Sequence, residues 1–557
     1  MRKIVTAAEM REIDRLTTER YATPSLLLME SAANAAAREI AARVGGLAGK
    51  RATVFCGRGN NGGDGAALAR AMCNAGVTVT LVLFGRVEET KGDARTNFEI
   101  TRRLNGFVDG SPGLTYPLTF IECVEIPVWE DIKWAMTYRS QILVDALFGT
   151  GLTRPLEGIH ERVLDHLNSR CAYRERDGDR WPFVVSLDLP SGLNADSPAP
   201  IGPAVRADMT VTFTAPKPAN VLPPASLFNG ELRVADIGSP PALLDESPSK
   251  LFLSEPDDAR GWLRKTRYTP ESYKNTHGHA LVVAGSRDMT GAAVLCADAA
   301  MRAGAGLVTL ATPASALPSV AARLMPEVMT AGLPETEAGS VSAEASGELK
   351  RLLERADVLA VGCGLSRERE STRRFVREAV EGRTTPVVID ADGLNALAPW
   401  PRELRGTREA PLVLTPHEGE MLRLLGARDR SALGERARVV SEFAAAHRLI
   451  VVLKGTRTLV AGPDGRVLIN PTGNAGLGTA GSGDTLTGII TGFLAQGYGT
   501  LKDAADAFEA VAAAVYVGGL AGDIAARSKG MRALVAGDIR EHVGAAVREL
   551  DPEGETP

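Results

Sequence analysis

Short runs of β-branched and other apolar residues alternate with Ala-rich stretches whose apolar positions recur at helical spacing, and they do so in both halves of the chain. Such alternation predicts parallel sheets flanked by helices, an α/β architecture. In the first half, strands are expected at 52–56, 79–84, 141–145, 183–188 and 209–213. In the second half they are expected at 280–284, 358–361, 386–390, 412–415, 450–454 and 458–461, with a further strand after Ala303-Gly-Ala-Gly306. Most of these runs end in Gly or Asp, at the edge where open α/β sheets meet their ligands.

The pattern breaks once. Asp236-Ile-Gly-Ser-Pro-Pro closes the first half, and Asp245-Glu-Ser-Pro-Ser-Lys follows as a polar joint containing proline. The expected organisation is one domain over 1–238, a linker over 239–255 and a second domain over 256–550. The segment 171–182 reads as a charged surface insertion, and residues 551–557 as a fraying end.

At 557 residues the chain is too long for one core, which agrees with two domains. A hydrophobic share of 44% and a charged share of 24% are those of an ordinary globular protein. A net charge of -5 gives no reason to expect nucleic acid or an acidic membrane as partner. Cysteines at 56, 73, 123, 171, 296 and 363 lie far apart without a C-x-x-C pair, which suits reduced thiols better than disulfides or zinc. The N-terminus lacks the apolar core of a signal peptide, and the longest uncharged stretch, 485–501, reads as a buried helix plus loop. A cytoplasmic homo-oligomer with no nucleic-acid and no membrane partner is expected.

The strongest chemical signal is Asn474-Ala-Gly-Leu-Gly-Thr-Ala-Gly481-Ser482-Gly483-Asp484-Thr, which leads into an apolar helix pattern. Free backbone N–H groups at such a helix start form an anion cradle, and an acid placed there handles the proton of a substrate hydroxyl. No G-x-x-x-x-G-K-[ST] occurs, so this is not a P-loop. Polar clusters also close other strands of this half: Asp390-Ala-Asp392, Thr415-Pro416-His417-Glu418 and Lys454-Gly455-Thr456. Asp390 and Asp392 also read as helix caps, and His277 and His279 equally as a surface turn.

In the first half, Gly57-Arg-Gly-Asn60-Asn61-Gly62-Gly63-Asp64-Gly65 precedes a helix expected from Ala66. It satisfies G-x-G-x-x-G, yet an Asp beside a pyrophosphate repels it and no ribose-binding acid ends the next strand. Asp145-Ala-Leu-Phe-Gly149-Thr150-Gly151-Leu152-Thr153-Arg154 and Asp188-Leu-Pro190-Ser191-Gly192 close two further strands. Three such ends make one polar crevice.

These motifs, with Pro24-Ser-Leu-Leu-Leu-Met-Glu30 and Ala215-Pro-Lys217-Pro, resemble the NAD(P)H-hydrate epimerase family over about residues 1–238. The resemblance implies interconversion of R and S epimers at the hydrated nicotinamide carbon. It implies substrate contacts from Asn60, Asn61, Gly62, Gly63, Asp64, Gly149, Thr150, Gly151, Leu152, Thr153 and Arg154, with Asp188 as acid/base. It also implies a potassium ion on Asn61, Asp145 and Ser191.

The second half, over about 256–548, resembles the ribokinase-like superfamily and, within it, the ADP-dependent NAD(P)H-hydrate dehydratases. That resemblance implies Asp484 as base and the N–H groups of Gly481, Ser482 and Gly483 around the transferring phosphoryl. Lys454, Gly455, Thr456, Arg457 and Thr458 would contact the nucleotide, and Ala292, Gly364 and His417 the hydrate. Magnesium and ADP are the implied cofactors, with AMP and phosphate as products. The implied fold is a Rossmann-like α/β/α sandwich followed by a ribokinase-like α/β/α domain without a lid. Two other readings stay open on the residues alone: a small-molecule kinase, and a first half that only binds a nucleotide or partner.

Overall fold

The computed structural model describes residues 1–105, 116–138, 140–177, 182–366 and 370–554, excepting the side chains of 170–177. The chain divides into two compact units, Lys3–Ser249 and Met1–Arg2 with Lys250–Pro557. The stretch expected as a linker is structured: helix Pro241–Glu246 belongs to the first unit and strand Leu251–Leu253 to the second.

The first unit is built on seven parallel strands: β1 (Arg51–Cys56), β2 (Thr78–Leu83), β3 (Leu118–Glu122), β4 (Ile142–Ala146), β5 (Phe183–Leu187), β6 (Met209–Phe213) and β7 (Glu231–Ala235). Their order is β3-β2-β1-β4-β5-β6-β7, so the direction of winding reverses beside β1. The expected strands are present within a residue or so of each end. The edge strands β3 and β7 were not expected: Leu118-Thr-Phe-Ile-Glu and Glu231-Leu-Arg-Val-Ala put polar residues on a solvent side and never read as buried runs.

The helix after β1 begins at Asn60, not Ala66, so Asn-Asn-Gly-Gly-Asp forms its first turn. Close packing explains why glycine is tolerated there: a Cβ on Gly62 would lie 1.8 Å from the Gly57 carbonyl oxygen. Helix Ala7–Tyr21 precedes all of this. Thr6 caps it, its Oγ1 accepting from Glu9 N at 3.2 Å while Glu9 Oε2 accepts from Thr6 N at 2.7 Å. Met10, Ile13 and Thr17 form its buried face.

The second unit carries β8 (Leu251–Leu253), β9 (His279–Val283), β10 (Leu307–Pro313), β11 (Met329–Leu333), β12 (Val358–Val361), β13 (Val387–Ile389), β14 (Leu412–Leu414), β15 (Ile450–Leu453), β16 (Leu459–Ala461) and β17 (Val467–Ile469). They lie in the order β8-β17-β16-β15-β14-β13-β12-β9-β10-β11. All neighbours are parallel except β15 with β16 and β16 with β17. The antiparallel strands continue the sheet rather than leaving it as a lid.

Helix Ser482–Leu501 runs through the whole uncharged stretch with no loop, and packs on helix Thr290–Arg302. Gly488 and Gly492 make this possible, since Cβ atoms there would lie 2.1 Å from Cys296 O and 2.6 Å from Ala300 O. Helix Ala507–Lys529 is long and apolar enough to cross a membrane, but 78% of its apolar window is buried inside the protein. Asp551, expected to open a fraying end, is instead buried and accepts from Arg267 Nε at 2.7 Å, and 555–557 lie outside the described residues. The insertion at 171–182 continues helix Ile159–Asp177 in part; 178–181 lie outside the described residues. The five cysteines with described side chains, Cys56, Cys73, Cys123, Cys296 and Cys363, are free and buried.

Candidate active sites

In the first unit the ends of β1, β4 and β5, three neighbouring strands, open on a cavity of about 590 Å³. It lies at the point where the winding reverses, where open sheets leave a crevice. Its walls include Asn60, Asn61, Asp64, Gly149, Thr150, Gly151, Leu152 and Asp188. Thr153 and Arg154 follow this turn on the surface, and Gly62 and Gly63 serve packing rather than lining.

Asp188 has a left-handed backbone, φ 64°. Its Oδ1 accepts from Lys217 Nζ at 2.5 Å and from Thr212 Oγ1 at 3.2 Å. Lys217 is 1% exposed, and its ammonium also donates to Thr212 Oγ1 and the Phe213 carbonyl. The ammonium sets a positive charge directly against this carboxylate. Asp64 differs: burial, with the charges of Asp188 and Asp14 added, pushes its carboxyl well above the usual range although Lys217 opposes this. Asp14, from the N-terminal helix, lines the same cavity.

Beneath the cavity Asp145 is wholly buried and fully engaged. It accepts from Ser191 Oγ at 2.6 Å, Ser191 N at 2.9 Å, Ser186 Oγ at 2.8 Å and Leu147 N at 3.3 Å. Burial raises it, against these hydrogen bonds. Both polar side-chain atoms of Asn61 are buried without a hydrogen-bond partner.

The second site forms around the start of helix Ser482–Leu501. Gly481, φ 82°, turns the chain into the helix, whose first-turn N–H groups have no intrahelical acceptor. The loop before it is pinned by Asp523, which accepts from Gly473 N and Asn474 Nδ2, each at 2.8 Å. Asp484 Oδ, Asp390 Oδ and Cys363 Sγ atoms lie within 4.8 Å of one another. Burial and the charge of Asp390 push Asp484 up to about 6.

Asp390 caps nothing with its side chain. It accepts from Lys454 Nζ at 2.7 Å and from Thr487 Oγ1 at 2.7 Å. Burial works against its charge, but Lys454 and these bonds hold it below the usual range. Burial likewise works against the Lys454 ammonium, which Asp390 and Glu420 hold above its ordinary value. A Cβ on Gly483 would lie 3.4 Å from Lys454 Nζ, which places the ammonium over the cradle.

His417 caps helix Glu418–Leu424, its Nδ1 accepting from Gly419 N at 3.0 Å, while its Nε2 lies 3.5 Å from Glu420 Oε1. A Cβ on Gly364 would meet Ala292 Cβ at 2.9 Å, bringing those two positions together on one wall. Gly455, Thr456, Arg457 and Thr458 form the loop between β15 and β16; Arg457 Nη1 donates to Pro471 O at 3.1 Å and Thr456 O accepts from Arg436 Nη2 at 3.0 Å. Of the histidines expected evenly as turn or site, His277 is buried and stacks on Tyr268, and His279 starts β9 at the end away from the cradle.

The family model described as NAD(P)H-hydrate dehydratase matches residues 280–543, and that of the YjeF-related protein N-terminus matches 25–219. The bifunctional NAD(P)H-hydrate repair enzyme Nnr of Moorella thermoacetica is 41% identical over 99% of this chain and 98% of its own length. That of Thermofilum pendens is 37% identical over 100% of this chain and 98% of its own. The chain belongs to the family of bifunctional NAD(P)H-hydrate repair enzymes. Among solved structures, the ADP/ATP-dependent NAD(P)H-hydrate dehydratase of Bacillus subtilis, co-crystallised with ATP and Mg2+, is 30% identical. It covers 54% of this chain and 98% of its own, with a TM-score of 0.45.

Against the family's two-part build, the motifs led to Asp188 and Asp484 but missed their partners. Lys217 was visible only as part of Ala-Pro-Lys-Pro. Cys363 and Asp14 come from elements distant in the chain and are brought to their sites by packing, while Thr487, one turn after Asp484 on the same helix, read only as part of its apolar run.

Proposed function

We propose that this chain repairs hydrated nicotinamide cofactors in two steps. The first unit interconverts the R and S forms of NAD(P)H hydrate, and the second converts the S form to NAD(P)H with ADP, leaving AMP and phosphate. The observation that carries the reading is Asp484, poised near neutrality at the mouth of a helix N-terminus with the Lys454 ammonium over the same cradle.

In the second unit Asp484 takes the hydroxyl proton of the hydrate, and the hydroxyl oxygen attacks the β-phosphorus of ADP as AMP leaves. The first-turn N–H groups and Lys454 stabilise charge on the phosphoryl oxygens. Phosphate then departs with the former C–O pair, and loss of the neighbouring ring proton restores the double bond. Lys454 to Thr458 and Gly481 to Gly483 hold the nucleotide; Ala292, Gly364 and His417 hold the hydrate. Magnesium, when bound, offsets phosphate charge. The thiol and two carboxyls near the cradle suit it poorly as a protein cage, since Lys454 already occupies Asp390, so the nucleotide would supply most of its oxygen ligands.

In the first unit Asp188 is the base at the hydrated carbon, oriented by Lys217. Asn60, Asn61, Asp64 and the turn Gly149 to Arg154 hold the cofactor, with Gly62 and Gly63 seating the helix start beneath it. Potassium would draw on Asn61, Asp145 and Ser191: the amide oxygen is buried without a partner, and the carboxylate and hydroxyl, now bonded to each other, are hard oxygen donors that would turn to the ion.

The test is the near-ultraviolet absorbance of an epimer mixture of NADH hydrate with the protein, magnesium and ADP. Complete recovery of NADH with equal AMP supports both steps. Recovery halting at the S fraction removes the epimerase reading, and no recovery with ADP or ATP removes both.

A further inference from the structure

One carboxyl in the first unit's cavity has no task in the scheme above. Asp14 lies on helix Ala7–Tyr21, ahead of residue 25, where the family match begins. The Thr6 cap and the buried Met10, Ile13 and Thr17 fix the helix, and Met10, Arg11 and Asp14 extend from it into the cavity wall. Asp14 Oδ1 is buried and has no hydrogen-bond partner. A buried carboxyl oxygen left this way is costly unless a ligand completes it. The same cavity holds Asp188, already satisfied by Lys217.

We propose that Asp14 is a second catalytic carboxyl of the epimerisation, acting as the acid on the substrate hydroxyl while Asp188 acts as the base. This rests on the reading of the first unit as the epimerase.

The hydrated carbon bears a hydroxyl and is bonded to the ring nitrogen. Asp14 gives its proton to the hydroxyl as the C–O bond breaks, and the bonding pair leaves with water. The nitrogen lone pair forms a C=N⁺ bond. Water then adds to the opposite face and gives a proton to the Asp188 carboxylate as the π pair returns to nitrogen. Asp14 ends ionised and Asp188 protonated, which is the state needed for the reverse reaction, and nothing is consumed.

Burial lifts Asp14 to about 6, with Lys217 pulling it down and Asp188 pushing it up. The other titratable and charged groups around the cavity are Arg11 on its own helix, Asp64, Asp93, Arg58 and His160, whose imidazole is held below its usual value by burial. A carboxyl so placed keeps a protonated fraction near neutral pH, as an acid needs.

The experiment follows exchange of pure R-epimer NADH hydrate, without ADP, by the full chain as wild type, Asp14→Asn and Asp14→Glu. Asp14→Asn is expected to lower kcat by about 100-fold or more with KM little changed. Asp14→Glu recovers part of the loss. The fall in wild-type rate as pH rises past Asp14's titration disappears in Asp14→Asn. Dehydration of the S epimer by the same preparations stays unchanged and reports a folded chain. A wild-type kcat in Asp14→Asn overturns the proposal, as does a loss confined to KM, or equal losses in both variants with the pH profile intact. No exchange by the wild type overturns the epimerase reading itself and the proposal with it.

Discussion

Lys454 and Asp390 join the ends of two strands through a bond of 2.7 Å from ammonium to carboxylate, directly beside the helix start that carries Asp484. Asp390 is 1% exposed, and the Lys454 side chain only 19%. Removing one partner of such a pair strands the other, at a cost of about 3–5 kcal/mol, whereas removing both costs less. Lys454→Met is therefore expected to lower the urea midpoint, and Lys454→Met with Asp390→Asn to restore much of it. Neither variant should recover dehydration, since both lack the cation over the cradle. A double variant as unstable as the single one contradicts this account.

The dehydration rate should rise with pH through about 6, because a base works only when ionised and Asp484 titrates there. Asp390 charge contributes to that high value, so in Asp390→Asn the rising limb should move to lower pH. Asp484→Asn is expected to lower kcat by about 100-fold or more with its unfolding midpoint held. Stopped-flow absorbance across pH 4.5 to 8 (about 3.5 units, enough to span a single titration) reads the wild type and both variants.

Lys217→Met should leave Asp188, partly buried at the cavity wall, without its counter-charge and stop epimer exchange, while dehydration of the S epimer by the same chain continues. A loss of about 3 kcal/mol or more is expected in the unfolding transition of the first unit. Exchange at the wild-type rate would mean that Asp188 needs no cation beside it.

Replacing potassium by choline at constant ionic strength is expected to slow epimer exchange by about tenfold, with dehydration untouched. Ser191→Ala should abolish that dependence. An exchange rate indifferent to the cation removes potassium from Asn61, Asp145 and Ser191.

Much of the sheet was legible because central parallel strands are buried on both faces and read as unbroken apolar runs, as 52–56 and 450–454 do. Edge strands hid behind their solvent-side charges. The start of the Asn60 helix was misjudged for a related reason. Asn, Gly and Asp have poor helix propensity, and only contact with the Gly57 turn and the strands beneath makes a helix the better state. The site was legible where residues that act together are neighbours in sequence, as Gly481 to Asp484 are. It was not legible where a side chain comes from another element. Lys217 reaches Asp188 from beyond the next strand, and Asp390, weighed as a cap, spends its carboxylate on Lys454 instead.

The glycine seam between helices Ser482–Leu501 and Thr290–Arg302 has a mechanical meaning. Ala292 stands at the start of one helix and Asp484 at the start of the other, and Gly481 already comes close enough that a Cβ would meet Leu295 Cδ1 at 2.5 Å. With Gly488 and Gly492 seating main chain on main chain, the spacing between the two walls is set like a gauge block, by atoms that have no rotamers to adjust. Gly488→Val should wedge this joint open, costing about 1–3 kcal/mol and dehydration together while exchange at the other site persists. Across such a joint, any change in how one helix seats on the other reaches both walls of the cleft at once.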